Sequence, residues 1–168
     1  AILIFTIYFA FRIEIANYWN QLYIDSEISS GNKDYPDYYW NYELNSFKRI
    51  WIINYSLLFV SVLSFVNLRK LKNTRLAFIN LGLIVLVIFA FLTQGLYDLS
   101  ELRENYLQQT LAQYFHRETI NLWIRYVSFS LVALTLYTCY KCIKENFDQR
   151  NFKIAFELLL HTTILWIA

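Results

Sequence analysis

The sequence predicts an all-α fold, a polytopic transmembrane helical bundle of about five spanning segments, and three observations predict it. Hydrophobic residues make up 57% of the chain and aromatics 20%, with three Gly and one Pro to interrupt them. Soluble domains rarely show that balance. The stretch Leu76–Tyr97, LAFINLGLIVLVIFAFLTQGLY, is apolar throughout apart from Asn80 near one end and Gln94 near the other. About 20 such residues cross a hydrocarbon core of roughly 30 Å as a helix. Finally, the charge alternates along the chain, basic in the connections 69–75 and 141–153 and acidic in 25–46 and 98–119.

The first segment, near 2–23, contains Arg12, Glu14 and Asn17 and closes in YWNQLY, an interfacial aromatic belt. It lacks the basic start and small-residue cleavage site of a signal peptide. A polar loop from Ile24 to about Leu44 follows, with the turn-forming SSGNKDYPD in its middle. The second segment, near 47–68, exits into RKLKNTR, which holds four basic residues and no acid. The third is the run near 76–97. In the next connection Asp98 and Glu101 have capping-box spacing. Leu99, Leu102 and Tyr106 recur there at helical intervals, which predicts a surface helix or an extension of the span. The fourth segment, near 120–143, carries Arg125, and the fifth, near 154–168, carries Glu157 and His161. Both chain ends lie inside apolar runs and the sequence has no Met, so it reads as an excerpt of a longer multi-span protein with truncated first and last segments.

Lys and Arg near span ends stay cytoplasmic, which puts the acidic connections outside; Lys48 and Arg49 run against this pattern. Richness in Ile, Asn, Tyr and Lys suggests an AT-rich bacterial genome and hence an inner-membrane location. The expected partners are the lipid bilayer and further transmembrane segments of the same chain. A net charge of +2 gives no nucleic-acid signature, and no motif calls for a cofactor or a metal.

Ionisable residues inside spans are the sharpest functional signal, because they are costly in lipid and face the bundle interior or water. Arg12, Glu14, Arg125, Glu157 and His161 form this candidate intramembrane polar site. Glu157 and His161 are four apart and share a helix face, so a carboxylate–imidazole proton relay is one reading; a snorkelling carboxylate and a hydrogen-bonded histidine is the other. Arg12 and Glu14 are about 200° apart around a helix and need separate partners. The expected pairs are Arg12–Glu157 and Glu14–Arg125, with helix pinning as the plain structural reading.

The outer loop offers an alternative site, in which Asp34, Asp37 and Glu43 lie among the tyrosines of DYPDYYWNYEL. Acids among aromatic faces suit a sugar, and multi-span glycosyltransferases place catalytic acids in an outer loop after the first span. An interfacial aromatic belt accounts for the same residues, and His116 and Arg117 in the second outer loop read as solvated or headgroup-facing. Two function classes therefore stand: a transport-like or membrane-scaffold module with buried charges, and a membrane-embedded enzyme acting on a lipid or lipid-linked sugar.

Cys139-Tyr140-Lys141-Cys142 is a C-x-x-C, a spacing that quinone-linked membrane disulfide oxidoreductases also use. Here it ends a helix, where the dipole disfavours a thiolate, on the side predicted to be reducing. It has no second outer cysteine pair, so two free thiols are expected. The phrases YFAFRIEIANYWNQLY and FELLLHTTILWIA resemble parts of a large bacterial family of predicted multi-span membrane proteins of unknown function. That resemblance covers about a sixth of the chain, implies many more spans, and carries no activity or site residues.

Overall fold

The structure is a computed structural model that describes residues 2–32, 35–116, 118–147 and 150–167. The chain divides into two compact units, Ala1–Ile52 with Tyr97–Arg125, and Ile53–Leu96 with Tyr126–Ala168. The elements in order are α1 (Ile2–Asp25), β1 (Ile28–Asn32), β2 (Tyr35–Tyr39), α2 (Glu43–Val66), α3 (Thr74–Ala90), α4 (Leu96–Gln108), α5 (Ile120–Asn146) and α6 (Arg150–Ile167). A π-helical turn, Asn67–Leu71, prolongs α2, and another, Phe91–Gly95, joins α3 to α4. The rods Glu43–Leu71, Thr74–Gln108 and Ile120–Asn146 are long and apolar enough to cross a membrane.

In the first unit α1 ends where Ser26 Oγ donates to the Tyr23 carbonyl at 2.6 Å, and the same oxygen accepts the Asn41 N–H at 3.0 Å. One serine thus closes the helix and ties together the two feet of the following segment. That segment differs from the expected polar loop, because β1 and β2 pair antiparallel from Ile28↔Tyr39 to Asn32↔Tyr35. The fold is therefore mostly helical rather than purely so. The residues SSGN have too little β propensity to announce a strand.

The connection 98–119 corrects a second expectation. Asp98 does not start a helix; it lies inside α4, which continues α3 as one 35-residue rod. The side chain that looked like a cap is engaged elsewhere, and the span-extension reading is the one the fold adopts. The rod stops at Gln109, whose φ of 52° is left-handed, and the Thr110 N–H reaches the Asn105 carbonyl at 3.2 Å. This is the six-residue closure of a Schellman cap.

In the second unit Ala77, Leu81, Ile84, Ile88 and Phe91 are buried. Their spacing of four, three, four and three is a coiled-coil seam. Asn80, a polar residue of the long apolar run, is also fully buried. In lipid such seams gain from hydroxyl contacts between helices, and Ser61 Oγ lies 2.9 Å from Thr135 Oγ1. At the other end of the rods, Phe147 packs edge-on to Phe78 at 6.3 Å and stacks on Phe152 at 4.8 Å, which fixes the start of α6.

The turn between α2 and α3 is a clasp of two asparagines. Asn67 Nδ2 donates to the Asn73 carbonyl at 3.1 Å, and Asn67 Oδ1 accepts the Asn73 N–H at 3.2 Å. Asn73 is also the N-cap of α3, its Oδ1 accepting from the N–H groups of Arg75 and Leu76 at 3.0 and 3.2 Å. Losing such a cap costs about 1 kcal/mol, so Asn73→Ala is expected to lower the thermal midpoint. Lys72, at φ 48°, carries a left-handed penalty that glycine lacks. Lys72→Gly should raise the midpoint, and a thermal melt of both variants in detergent checks the two signs.

Candidate functional site

The most strongly organised polar site lies in the first unit, where α2 faces α4. Arg49 Nε donates to both carboxylate oxygens of Asp98 at 3.0 Å, and Arg49 Nη2 reaches Asp98 Oδ1 at 2.7 Å. Nη2 also donates to Ser46 Oγ at 3.0 Å, and that hydroxyl donates to Glu101 Oε2 at 3.1 Å. The guanidinium stands 3.9 Å from the same Glu101 oxygen. Helical spacing explains the geometry: Ser46 and Arg49 are three apart on α2, and Asp98 and Glu101 are three apart on α4, so each pair shares a face.

Asp98 has no solvent exposure, whereas the Arg49 side chain keeps 39%. A buried carboxylate is tolerated only if it is paired and hydrogen-bonded, and the planar guanidinium fork meets it with charge-assisted bonds. The cluster holds one cation and two anions. Both oxygens of Asp98 accept from Arg49, which gives this pair the character of a clamp between the two helices.

Nearby on α2, Glu43 is buried and its Oε2 accepts from Asn121 Nδ2 of α5 at 3.0 Å. This bond ties the start of α2 to the start of α5. Asp37 lies exposed on β2, and Asp34 is outside the described residues, as is Arg117. The aromatic residues in and around the hairpin make ring contacts with one another and with neighbouring segments. Tyr39 stacks on Tyr114 at 4.4 Å and Tyr23 meets Tyr42 at 6.0 Å, while Trp19 lies flat on Phe47 at 5.3 Å.

A hydrogen bond with Tyr114, and then the charge effect of that neighbour, hold the Tyr39 phenol above its ordinary 10.0. The fold therefore favours neutral Tyr39. This contribution is present in full below pH 10 and is lost as pH rises through the folded value. In an absorbance titration of phenolate, Tyr114→Phe is expected to return Tyr39 towards its ordinary range.

The intramembrane candidates divide between the units, Arg12, Glu14 and Arg125 in the first and Glu157 and His161 in the second. Arg12 and Arg125 are half-buried, whereas Glu14, Glu157 and His161 are exposed. Within the first unit, among the described residues, Glu14 makes no ion pair with Arg125. His161 Nδ1 lies 2.6 Å from the Glu157 carbonyl oxygen and not against its carboxylate. This is a bond from the ring to its own helix backbone, one turn back. Cys139 and Cys142 are free and buried, and Cys142 Sγ points to the Ala77 carbonyl at 3.8 Å. Among the described residues no three His, Cys, Asp or Glu side chains are placed to hold a metal ion.

Sequence reading missed Arg49, Asp98, Glu101 and Ser46 as one site. The signal was present as an anomaly, two basic residues at the start of the second segment against the prevailing charge pattern. Compared with known protein families, curated proteins and solved structures, the chain matches none.

Proposed function

We propose that the chain is a membrane-embedded scaffold module, a set of five membrane-crossing helices whose outer end is pinned by an ionic clamp. In this reading the acidic connections face outward, the basic ones face the cytoplasm, and α1 and α6 meet further transmembrane helices. The observation that carries it is the Arg49–Asp98 fork, in which a fully buried carboxylate is bonded at 3.0, 3.0 and 2.7 Å. Such a group holds two helices in register and is not free to cycle protons. The exposed Glu14, Glu157 and His161 fit the same reading, since charges at membrane depth require partners. Those partners belong to neighbouring helices, as they would in the multi-span family that the chain ends resemble.

Photo-crosslinking from Glu14 and Leu158 in native membranes, combined with flux measurements on liposomes containing the purified chain, tests the proposal. A scaffold gives polypeptide adducts from both positions and no proton or ion flux above empty liposomes. Flux that is abolished by Glu157→Gln or His161→Ala would replace it with a transport function.

A further inference from the structure

Two grooves in the second unit meet at the basic end of the helices. One is a cavity of about 280 Å³ between α3, α5 and α6, walled by Phe78, Gly82, Val85, Ala155 and Leu159. The other, of about 320 Å³, is lined by Tyr140, Lys144, Lys153 and Glu157. Ile143 and Phe156 line both, so a dry slot runs directly into a charged rim.

We propose that this compound groove binds one anionic phospholipid, its phosphate on Lys144 and Lys153 and one acyl chain in the apolar slot. The assignment rests on the membrane reading above and adds a ligand to it. Charge selects the occupant. Lys144 lies in the last turn of α5 and Lys153 in the first turn of α6, and Arg69 and Lys141 line one groove near the same helix ends. Basic pockets between spanning helices on the cytoplasmic side suit anionic headgroups. The Lys144 ammonium stands 5.9 Å over the Tyr140 ring, a cation–aromatic contact that orients it at the rim. Glu157 repels a phosphate, so the phosphate sits at the lysine end and the glycerol hydroxyls of a phosphatidylglycerol headgroup donate to Glu157.

Gly82 supplies the second half of the argument. Glycine inside a helix costs about 1 kcal/mol against alanine, and it is usually retained for a close neighbour or an unusual φ. Neither holds here, because a Cβ added at Gly82 would meet nothing within 4 Å. The missing side chain leaves the slot open at mid-length, where an acyl chain lies.

The test is native mass spectrometry of the purified chain in mild detergent, with phosphatidylglycerol or phosphatidylethanolamine of identical acyl chains. The wild type should retain one phosphatidylglycerol in preference to phosphatidylethanolamine. At about fivefold per lysine near a charged headgroup, K144Q/K153Q should weaken phosphatidylglycerol retention by roughly 25-fold and leave phosphatidylethanolamine far less affected. G82L adds a side chain where a Cβ meets nothing within 4 Å, and it should lower retention of both lipids while circular dichroism shows unchanged helicity. Equal retention of the two lipids by the wild type, or wild-type retention by either variant, would overturn the site. Either result would leave the scaffold reading intact, since crosslinking and flux test that separately.

Discussion

Replacing Arg49 with alanine is expected to lower stability by about 3 kcal/mol, the lower end of the range for breaking a buried ion pair. The lower end applies because the Arg49 side chain keeps 39% of its exposure, while Asp98 keeps none. The loss comes from the stranded carboxylate more than from the missing guanidinium. Two further variants separate these contributions. Arg49→Lys keeps the charge but replaces a planar fork with a single ammonium, and it should fall between wild type and alanine. R49M/D98L removes both charges and fills the space with apolar side chains, so it should recover most of the loss, as buried pairs replaced by apolar residues often do. Denaturant titration of the four proteins in one detergent measures the series. A double variant no more stable than Arg49→Ala would show that the clamp contributes something other than charge compensation.

The second large effect is expected at the π-helical turn between α3 and α4. Phe91 is almost fully buried and meets Phe129 edge-on at 6.3 Å. A Cβ added at Gly95 would lie 2.9 Å from the Phe91 ring, so glycine is required here by the close approach of an aromatic one helical turn away. Phe91→Ala should cost about 3 kcal/mol, the low end of the range for a buried phenylalanine, because lipid tails are as apolar as the pocket it leaves. Gly95→Ala, which helix propensity alone would favour, should instead destabilise by about 1 kcal/mol through overpacking. The two changes are coupled: F91A/G95A should cost less than the sum of the singles, since the ring that the new methyl strikes is gone. Additive losses would mean that the ring moves aside freely.

The helical rods were legible from the sequence because their signal is local and long. Twenty apolar residues in a row, or polar residues falling at helical spacing, need no knowledge of the neighbours. The hairpin was not legible, because Ser29, Ser30 and Gly31 look the same in a turn as in a short strand. The clamp was illegible for a different reason. Arg49 and Asp98 stand 49 positions apart, and a single chain says nothing about which charges meet. Asp98 and Glu101 matched a capping box by spacing, and only the π-helical turn before them, which keeps the rod continuous, removes the need for a cap. The intramembrane candidates show the converse limit. Arg12, Glu14, Glu157 and His161 stand out in the sequence as charges in apolar surroundings, yet a sequence does not say which face of its helix each one occupies or what it meets there.

Sidedness is the most direct test of the whole account, and single-cysteine labelling measures it. With Cys139 and Cys142 replaced by serine, cysteines are placed one at a time at Ser29, Lys72 and His116, all three exposed. They stand on the hairpin, in the α2–α3 turn and in the connection before α5. Treated with a membrane-impermeant maleimide, intact cells should label the first and third positions and leave position 72 unlabelled until the membrane is opened. Labelling of position 72 together with position 29 in intact cells would contradict the account, because α2 would then not cross the membrane.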